Sequence, residues 1–237
     1  MQNRSGLIIT GGWAHDFQAT VPSLVEILSG ANITCDIAWD VDQSEQMMLQ
    51  NKYDIIVGYA CWFQMKDDRY SAEQRGLWAR STSEQWSSAL QKQKNDGAGL
   101  LAVHTSVISF EDSTTWANWV GGSWNWGVSN HPQPGDVHVE RVGELPIVYG
   151  VEPFVVHDER YMHVSRAEDA EVLTESIGAD GNQASMWALA KDGSRSVYSA
   201  LGHDQLSFSH PTHQLLLRRA AAWVVGEADE QVRSIKS

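Results

Sequence analysis

Short apolar runs separated by helix-patterned stretches organise the first half of this chain. Residues 7–10, 34–39, 54–57 and 100–103 are rich in Ile, Val and Leu. Continuous apolar strands of this kind are buried on both faces, as in a parallel sheet covered by helices on each side. Between them, residues 21–28 predict a helix stopped by Gly30. Residues 83–94 predict another, with Thr82 and Gln85 able to form a capping box and Gly97 beyond its end. Past residue 113 the texture changes. A helix over 113–120 ends at Gly121-Gly122, and a loop follows with His131-Pro132 and Pro134-Gly135. Residues 137–142 alternate and predict an edge strand. Shorter strands follow at 155–156, 172–173, 184–190 and 197–200, before a closing helix over 212–225, introduced by Pro211 and ended by Gly226. No repeat, low-complexity tract or linker interrupts the series. One α/β domain over residues 1–237 is therefore expected, with its core at about 6–226 and a frayed polar tail at 227–237.

Composition narrows the function classes. A chain of 237 residues can bury a substantial core. Its net charge of −13 argues against nucleic acid and anionic membranes as partners, because both need clustered Lys and Arg. No apolar run is long enough to span a bilayer, and the opening MQNRSGLIITGGW is too short in apolar length for a signal peptide. The two cysteines, Cys35 and Cys61, sit apart in apolar runs and make neither a metal-finger spacing nor a disulfide framework. A reduced, cytoplasmic protein is the expectation. Asn3-Arg4-Ser5 and Asn32-Ile33-Thr34 match the glycosylation sequon but mean nothing without secretion. Eleven tryptophans are unusually many, and Trp116, Trp119, Trp124, Trp126 and Trp187 fall near polar segments. Each either stacks on a sugar ring or fills the core with its N–H hydrogen-bonded.

Candidate chemistry gathers where apolar runs end. Leu100 to Val103 delivers His104-Thr105-Ser106, and the run SVYSAL delivers Gly202-His203-Asp204. Ligands of open α/β sheets collect at carboxyl ends of strands. His104 and His203 are general acid/base candidates because an imidazole titrates near neutrality. A serine-hydrolase triad is disfavoured, since no G-x-S-x-G elbow surrounds Ser106. In His157-Asp158-Glu159 the two carboxylates are neighbours on a strand and point to opposite faces. Glu159 is taken as the site member and Asp158 as its support. After the first strand, Gly11-Gly12-Trp13-Ala14-His15-Asp16 reads as a ligand-contacting loop lacking any nucleotide fingerprint. Among nine histidines no compact metal signature occurs, yet His15, His104, Glu159 and His203 can converge from separate loops on zinc or manganese. His210 is expected to cap the closing helix and His213 to lie in its first turn, both in structural roles.

The order of these pieces, GGWAHD, GLLAVHTSVISF, GGSW, VHDERY, a late Trp and SALGHD, resembles the trehalose-utilisation (ThuA-like) family. The resemblance runs from about Leu7 to Trp223. It implies the flavodoxin-like three-layer α/β/α sandwich of the class I glutamine amidotransferases, with a mainly parallel central sheet, and a role in carbohydrate catabolism. It carries over His104, Gly121-Gly122 with Trp124, Asp158-Glu159 with Tyr161, and Gly202-His203-Asp204. In amidotransferases a Cys nucleophile follows the central strand; here His104-Thr105-Ser106 stands there, so glutamine hydrolysis by a thiolate is not expected. Leu145-Pro146-Ile147 replaces the family's His-Pro-Ile, and Met186 stands where a Pro often precedes the late Trp. Both departures point to a divergent subgroup.

These readings converge on an enzyme acting on a sugar or keto-sugar by proton transfer, as in an isomerase, epimerase or lyase. His104 and His203 exchange protons and Glu159 orients or assists one of them. His15, Thr105 and Ser106 bind hydroxyls, Trp124 stacks on the ring, and Asp158, Tyr161 and Asp204 complete the substrate-binding set. The rivals are a non-catalytic sugar-binding protein and a metal-dependent hydrolase. No cofactor is required by the sequence, and a homodimer is the default assembly for an α/β enzyme of this size.

Overall fold

The computed structural model describes residues 2–236. In chain order the elements are β1 (Arg4–Gly12), α1 (Phe17–Ser29), β2 (Ile33–Ala38), α2 (Val41–Gln50), β3 (Ile55–Cys61), α3 (Ala72–Trp78), α4 (Glu84–Asn95) and β4 (Gly99–Val103). A 3₁₀ turn (His104–Val107), α5 (Thr114–Val120), β5 (Gly122–Ser123), β6 (Gly135–Arg141), a second 3₁₀ turn (Pro146–Val148), β7 (Phe154–Asp158) and β8 (Ser165–Arg166) follow. The chain closes with β9 (Glu171–Ile177), β10 (Gln183–Lys191), β11 (Ser194–Ser199), α6 (Gln205–Ser209), α7 (Pro211–Val224) and α8 (Asp229–Ser234). No helix among the described residues is long and apolar enough to cross a membrane.

Nine strands form one sheet in the order β2-β1-β3-β4-β11-β10-β9-β6-β7. Pairing is parallel from β2 through β11 and antiparallel from β11 outward to β7. The twofold alternation of side chains divides the parallel half into two cores. Ile8, Ile55, Val57, Leu101 and Val103 face α1 and α7, while Leu7, Ile9, Ile56, Leu100 and Ala102 face α2, α4 and α5. The result is the expected three-layer α/β/α sandwich.

Several local expectations change. The α4 cap is Ser83, whose Oγ accepts from the Trp86 N–H, because both the N–H and the hydroxyl of Thr82 are taken by the Asp112 carboxylate. Strand β6 is not an edge: β9 and β7 flank it, and β7 forms the border. The tail does not fray through its described length. Helix α8 buries Val232, and the Arg219 guanidinium donates to the carbonyls of Arg233 and Ile235. Met1 and Ser237, the outermost residues of the expected domain, lie outside the described residues. His210 stands at the N-cap of α7 but makes no capping bond; its ring stacks on Phe154. Trp116, Trp119 and Trp187 belong to the core, with their indole N–H groups donating to the Ser106 carbonyl, the Ser194 hydroxyl and the Val120 carbonyl.

Candidate active site

Strands β1, β4 and β11 run in parallel, so their carboxyl ends share one edge of the sheet. Strand β7 reaches the same edge because four successive antiparallel pairings restore its direction. The Gly202 N–H beyond β11 donates to Asp158 Oδ2 at the end of β7 over 2.8 Å. Four loops thereby bring His15, His104, Glu159 and His203 together, with one ligand-capable atom of each lying within 4.8 Å of those of the others.

Backbone geometry aims these side chains. His104 follows β4 with φ +51°, a left-handed conformation that non-glycine residues adopt only where their surroundings impose it. The Tyr198 hydroxyl clamps the His104 carbonyl over 3.0 Å. Gly202 has φ +135°, and a Cβ there would lie 2.8 Å from Val103 Cγ1 and 3.2 Å from His104 Cβ. Only glycine fits against the turn that presents His104.

Hydrogen bonds to the backbone fix two imidazole tautomers. His104 Nδ1 lies 2.7 Å from the Ala200 carbonyl and His15 Nδ1 3.3 Å from the Trp13 carbonyl. A carbonyl accepts only, so each Nδ1 carries the hydrogen, and in its neutral form each ring presents a lone pair at Nε2. Those two Nε2 atoms face each other at 3.2 Å. His203 Nδ1 lies 3.2 Å from His15 Nε2. The Glu159 carboxylate closes the group, Oε2 at 3.4 Å from His104 Nε2 and Oε1 at 3.4 Å from His203 Nδ1. Oε2 is buried and accepts no hydrogen bond. Burial, reinforced by the neighbouring His104, lowers the His15 pKa to about 3, so that ring is neutral. Burial works to raise Glu159, but His104 and His203 override it and hold the carboxyl well below the usual carboxylate range. Glu159 in turn raises His203 against the opposing effect of burial.

Above the quartet opens a cleft of about 670 Å³, walled by Trp13, Trp124, Trp126, Tyr161 and His131, with His15, Thr105, Glu159 and His203 lining its floor. A size of this order suits a small organic ligand. Trp124 is carried in by the β5–β8 ribbon and by its N–H bond to the Val107 carbonyl. The Tyr161 ring stacks on His104 at 4.7 Å, and its hydroxyl lies 3.3 Å from His104 Nε2. Burial raises the Tyr161 pKa far above the ordinary value and keeps it a phenol. The Thr105 hydroxyl is buried against the cleft with no partner. Cys61 also touches the cleft, at the end of β3, but burial pushes its thiol up and keeps it protonated.

Three expected site residues do not reach the cleft. Ser106 is wholly buried; its Oγ accepts from the Val103 N–H and donates to the Gly58 carbonyl, tying β4 to β3. Asp204 caps α6 by accepting from the Leu206 and Ser207 N–H groups. Asp158 supports from below, accepting from the Gly202 and Glu159 N–H groups. His104 belongs to the quartet but is fully buried, so its ring has no open face for a substrate. His131, in contrast, joins the site although the sequence marks it only as part of a loop. Reciprocal bonds between Asn130 and Met162 bring it beside Tyr161, with its Nδ1 3.3 Å from Glu159 Oε1. Its local signal, His-Pro in a loop, is weak, because the contact spans 28 residues.

A trehalose-utilisation family model (ThuA) matches residues 6–224. The chain belongs to the ThuA family. Solved structures agree on the fold. A ThuA-like protein from Parabacteroides merdae superposes with TM-score 0.75 at 16% identity, covering 95% of this chain and 91% of that one. Another from Bacteroides uniformis gives TM-score 0.64 at 18% identity over 93% and 90% of the two chains. A glutamine amidotransferase from Thermotoga maritima gives TM-score 0.51 at 10% identity over 99% and 95%. No curated protein matches. Against the amidotransferase fold, this ThuA protein places an imidazole and two hydroxyl residues, His104-Thr105-Ser106, directly after β4, and its one nearby thiol is buried on β3.

Proposed function

We propose that this ThuA protein is a cytoplasmic enzyme of carbohydrate catabolism that binds a sugar or keto-sugar in the cleft and moves a proton at a carbon beside a carbonyl. One observation carries this reading: an ionised carboxylate, Glu159, lies in the floor of an aromatic-walled cleft between His131 and His203, 3.3 Å and 3.4 Å away. Groups so placed can take a proton from carbon and return it elsewhere, as isomerisation, epimerisation and elimination require. Aromatic faces at Trp124 and Trp126 suit the C–H face of a sugar ring. The unpartnered Thr105 hydroxyl supplies a hydrogen-bonding group for a sugar hydroxyl. Membership of a trehalose-utilisation family supports the substrate class.

The test is incubation with aldoses, ketoses and oxidised disaccharides in D₂O, followed by NMR and mass spectrometry. Deuterium entering a carbon next to the carbonyl is the expected result. A sugar that binds and comes back unchanged would instead make this a binding protein. Fragments formed without deuterium at carbon would make it a hydrolase.

A further inference from the structure

We infer that His15, His104, Glu159 and His203 form a binding site for one divalent transition-metal ion. The argument is a count of donors and acceptors. In their neutral forms His15 and His104 both present lone pairs at Nε2, since the Trp13 and Ala200 carbonyls occupy their Nδ1 hydrogens. Two lone pairs facing each other at 3.2 Å repel unless something positive lies between them. Glu159 adds a buried oxygen that accepts nothing, and His203 adds a further nitrogen. The Tyr161 hydroxyl, 3.3 Å from His104 Nε2, offers at most one proton to the whole group.

Distances point the same way. Zinc–imidazole bonds of about 2.0–2.1 Å at tetrahedral angles place neighbouring ligand atoms about 3.3–3.4 Å apart. The spacings are 3.2 Å from His104 Nε2 to His15 Nε2, 3.2 Å from His15 Nε2 to His203 Nδ1, 3.4 Å from His203 Nδ1 to Glu159 Oε1 and 3.4 Å from Glu159 Oε2 to His104 Nε2, the carboxylate closing the ring through both oxygens. The supporting shell is also that of a metal site, with a backbone carbonyl on the second nitrogen of both His104 and His15. Three imidazoles and one carboxylate suit zinc, manganese, iron or cobalt rather than calcium or magnesium.

This inference rests on the sugar-binding reading and sharpens it. With an ion in place His203 and Glu159 would serve as its ligands, leaving proton transfer to His131, and the ion would supply Lewis-acid stabilisation of charge on the substrate's carbonyl oxygen. In the proton transfer the C–H electron pair would become the C=C bond of an enediol and the carbonyl π pair would move onto the oxygen, while the proton would pass to His131, the imidazole of the cleft wall that lies outside the set.

The experiment uses untagged, full-length protein stripped with chelator and reloaded separately with Zn²⁺, Mn²⁺ and Co²⁺. Expected is one ion per chain by elemental analysis, a tetrahedral cobalt absorption in the visible, and a melting temperature raised by about 5–10 °C at 100-fold excess over Kd. His15→Asn and His203→Asn, both at the accessible rim of the set, weaken binding by more than the roughly 10–100-fold that a supporting residue costs. His131→Ala keeps the metal and loses deuterium exchange. Wild-type protein that retains no ion and shows no melting shift with any of the three overturns the site, as does equal metal affinity in His15→Asn and His203→Asn. Deuterium exchange that persists in metal-free protein overturns the ion's part in the chemistry and leaves the proton-transfer function standing.

Discussion

Two tiers of buried polar groups lie at the same edge of the sheet and behave oppositely. In the lower tier, Asp158, Ser106, Tyr59 and Tyr198 are turned toward the backbone. Their oxygens meet the N–H groups of Gly202, Glu159 and Val103 and the carbonyls of Gly58, Gly202 and His104. In the upper tier, His15, His104, Glu159 and His203 are turned toward one another, and the backbone has already taken the Nδ1 protons of His15 and His104. Burial alone does not separate the tiers, since His104 and Ser106 are both fully enclosed. The direction of unused hydrogen-bonding capacity does. A structural polar residue discharges its capacity into the main chain; a site residue holds it in reserve for something that is not protein.

The neighbouring carboxylates give the sharpest break between the tiers. Glu159→Gln keeps the shape but removes the charge in the cleft floor, and turnover should fall about 10²–10⁴-fold with little change in melting temperature. Asp158→Ala should do the reverse first. It strands two buried N–H groups that now donate over 2.7 and 2.8 Å. The expected cost is about 2–4 kcal/mol, which lowers the melting temperature by about 5–15 °C. A scanning calorimetry trace that ranks Glu159→Gln below Asp158→Ala in stability would erase the distinction.

A buried histidine outside the site extends the comparison to pH. His213 is enclosed by α7, stacked on Phe208, with Nδ1 donating to the Ser207 carbonyl and Nε2 unpartnered. Burial lowers its pKa to about 4. The unfolded chain takes up this proton near pH 6.5, whereas the folded chain resists it until about pH 4. Stability is therefore fully present above pH 6.5 and declines as the pH falls toward 4. His213→Gln cannot titrate, so its denaturation midpoint should fall less steeply over that interval. Parallel curves would remove His213 from the acid response.

Legibility from sequence followed the range of the interactions. The parallel half announces itself through continuous apolar strands, because both faces are covered locally by the flanking helices. Helix α2 was hidden: only Val41, Ser44 and Met48 are buried, too little apolar periodicity to detect, although Asp40 caps it. The border role of β7 depends on pairings made across the sheet, which no local pattern encodes. At the site, strand-end position was enough to pick out His104 and His203. It also picked out Ser106 and Asp204, since a hydroxyl or carboxylate after a strand looks the same whether it faces a cleft or ties down a turn. His131 was passed over because its relation to Glu159 exists only once the Asn130–Met162 bridge has formed.

Thr105 and Ser106 test the comparison at its finest grain, two adjacent hydroxyls with opposite expected responses. Ser106→Ala removes the group that accepts from the Val103 N–H over 3.1 Å and donates to the Gly58 carbonyl over 2.6 Å. Stability should fall by about 1–2 kcal/mol, or about 2–8 °C in melting temperature, while KM for the sugar stays unchanged. Thr105→Val replaces a buried hydroxyl that has no partner by a methyl of nearly the same shape. Such a change is close to neutral in stability, because no hydrogen bond is lost. KM should rise, by about 5–10-fold if the hydroxyl meets one sugar oxygen at about 1 kcal/mol. A Thr105→Val protein that melts earlier but binds its sugar unchanged would move Thr105 into the lower tier, and the line between structure and site would then run between residues 105 and 159 rather than between 105 and 106.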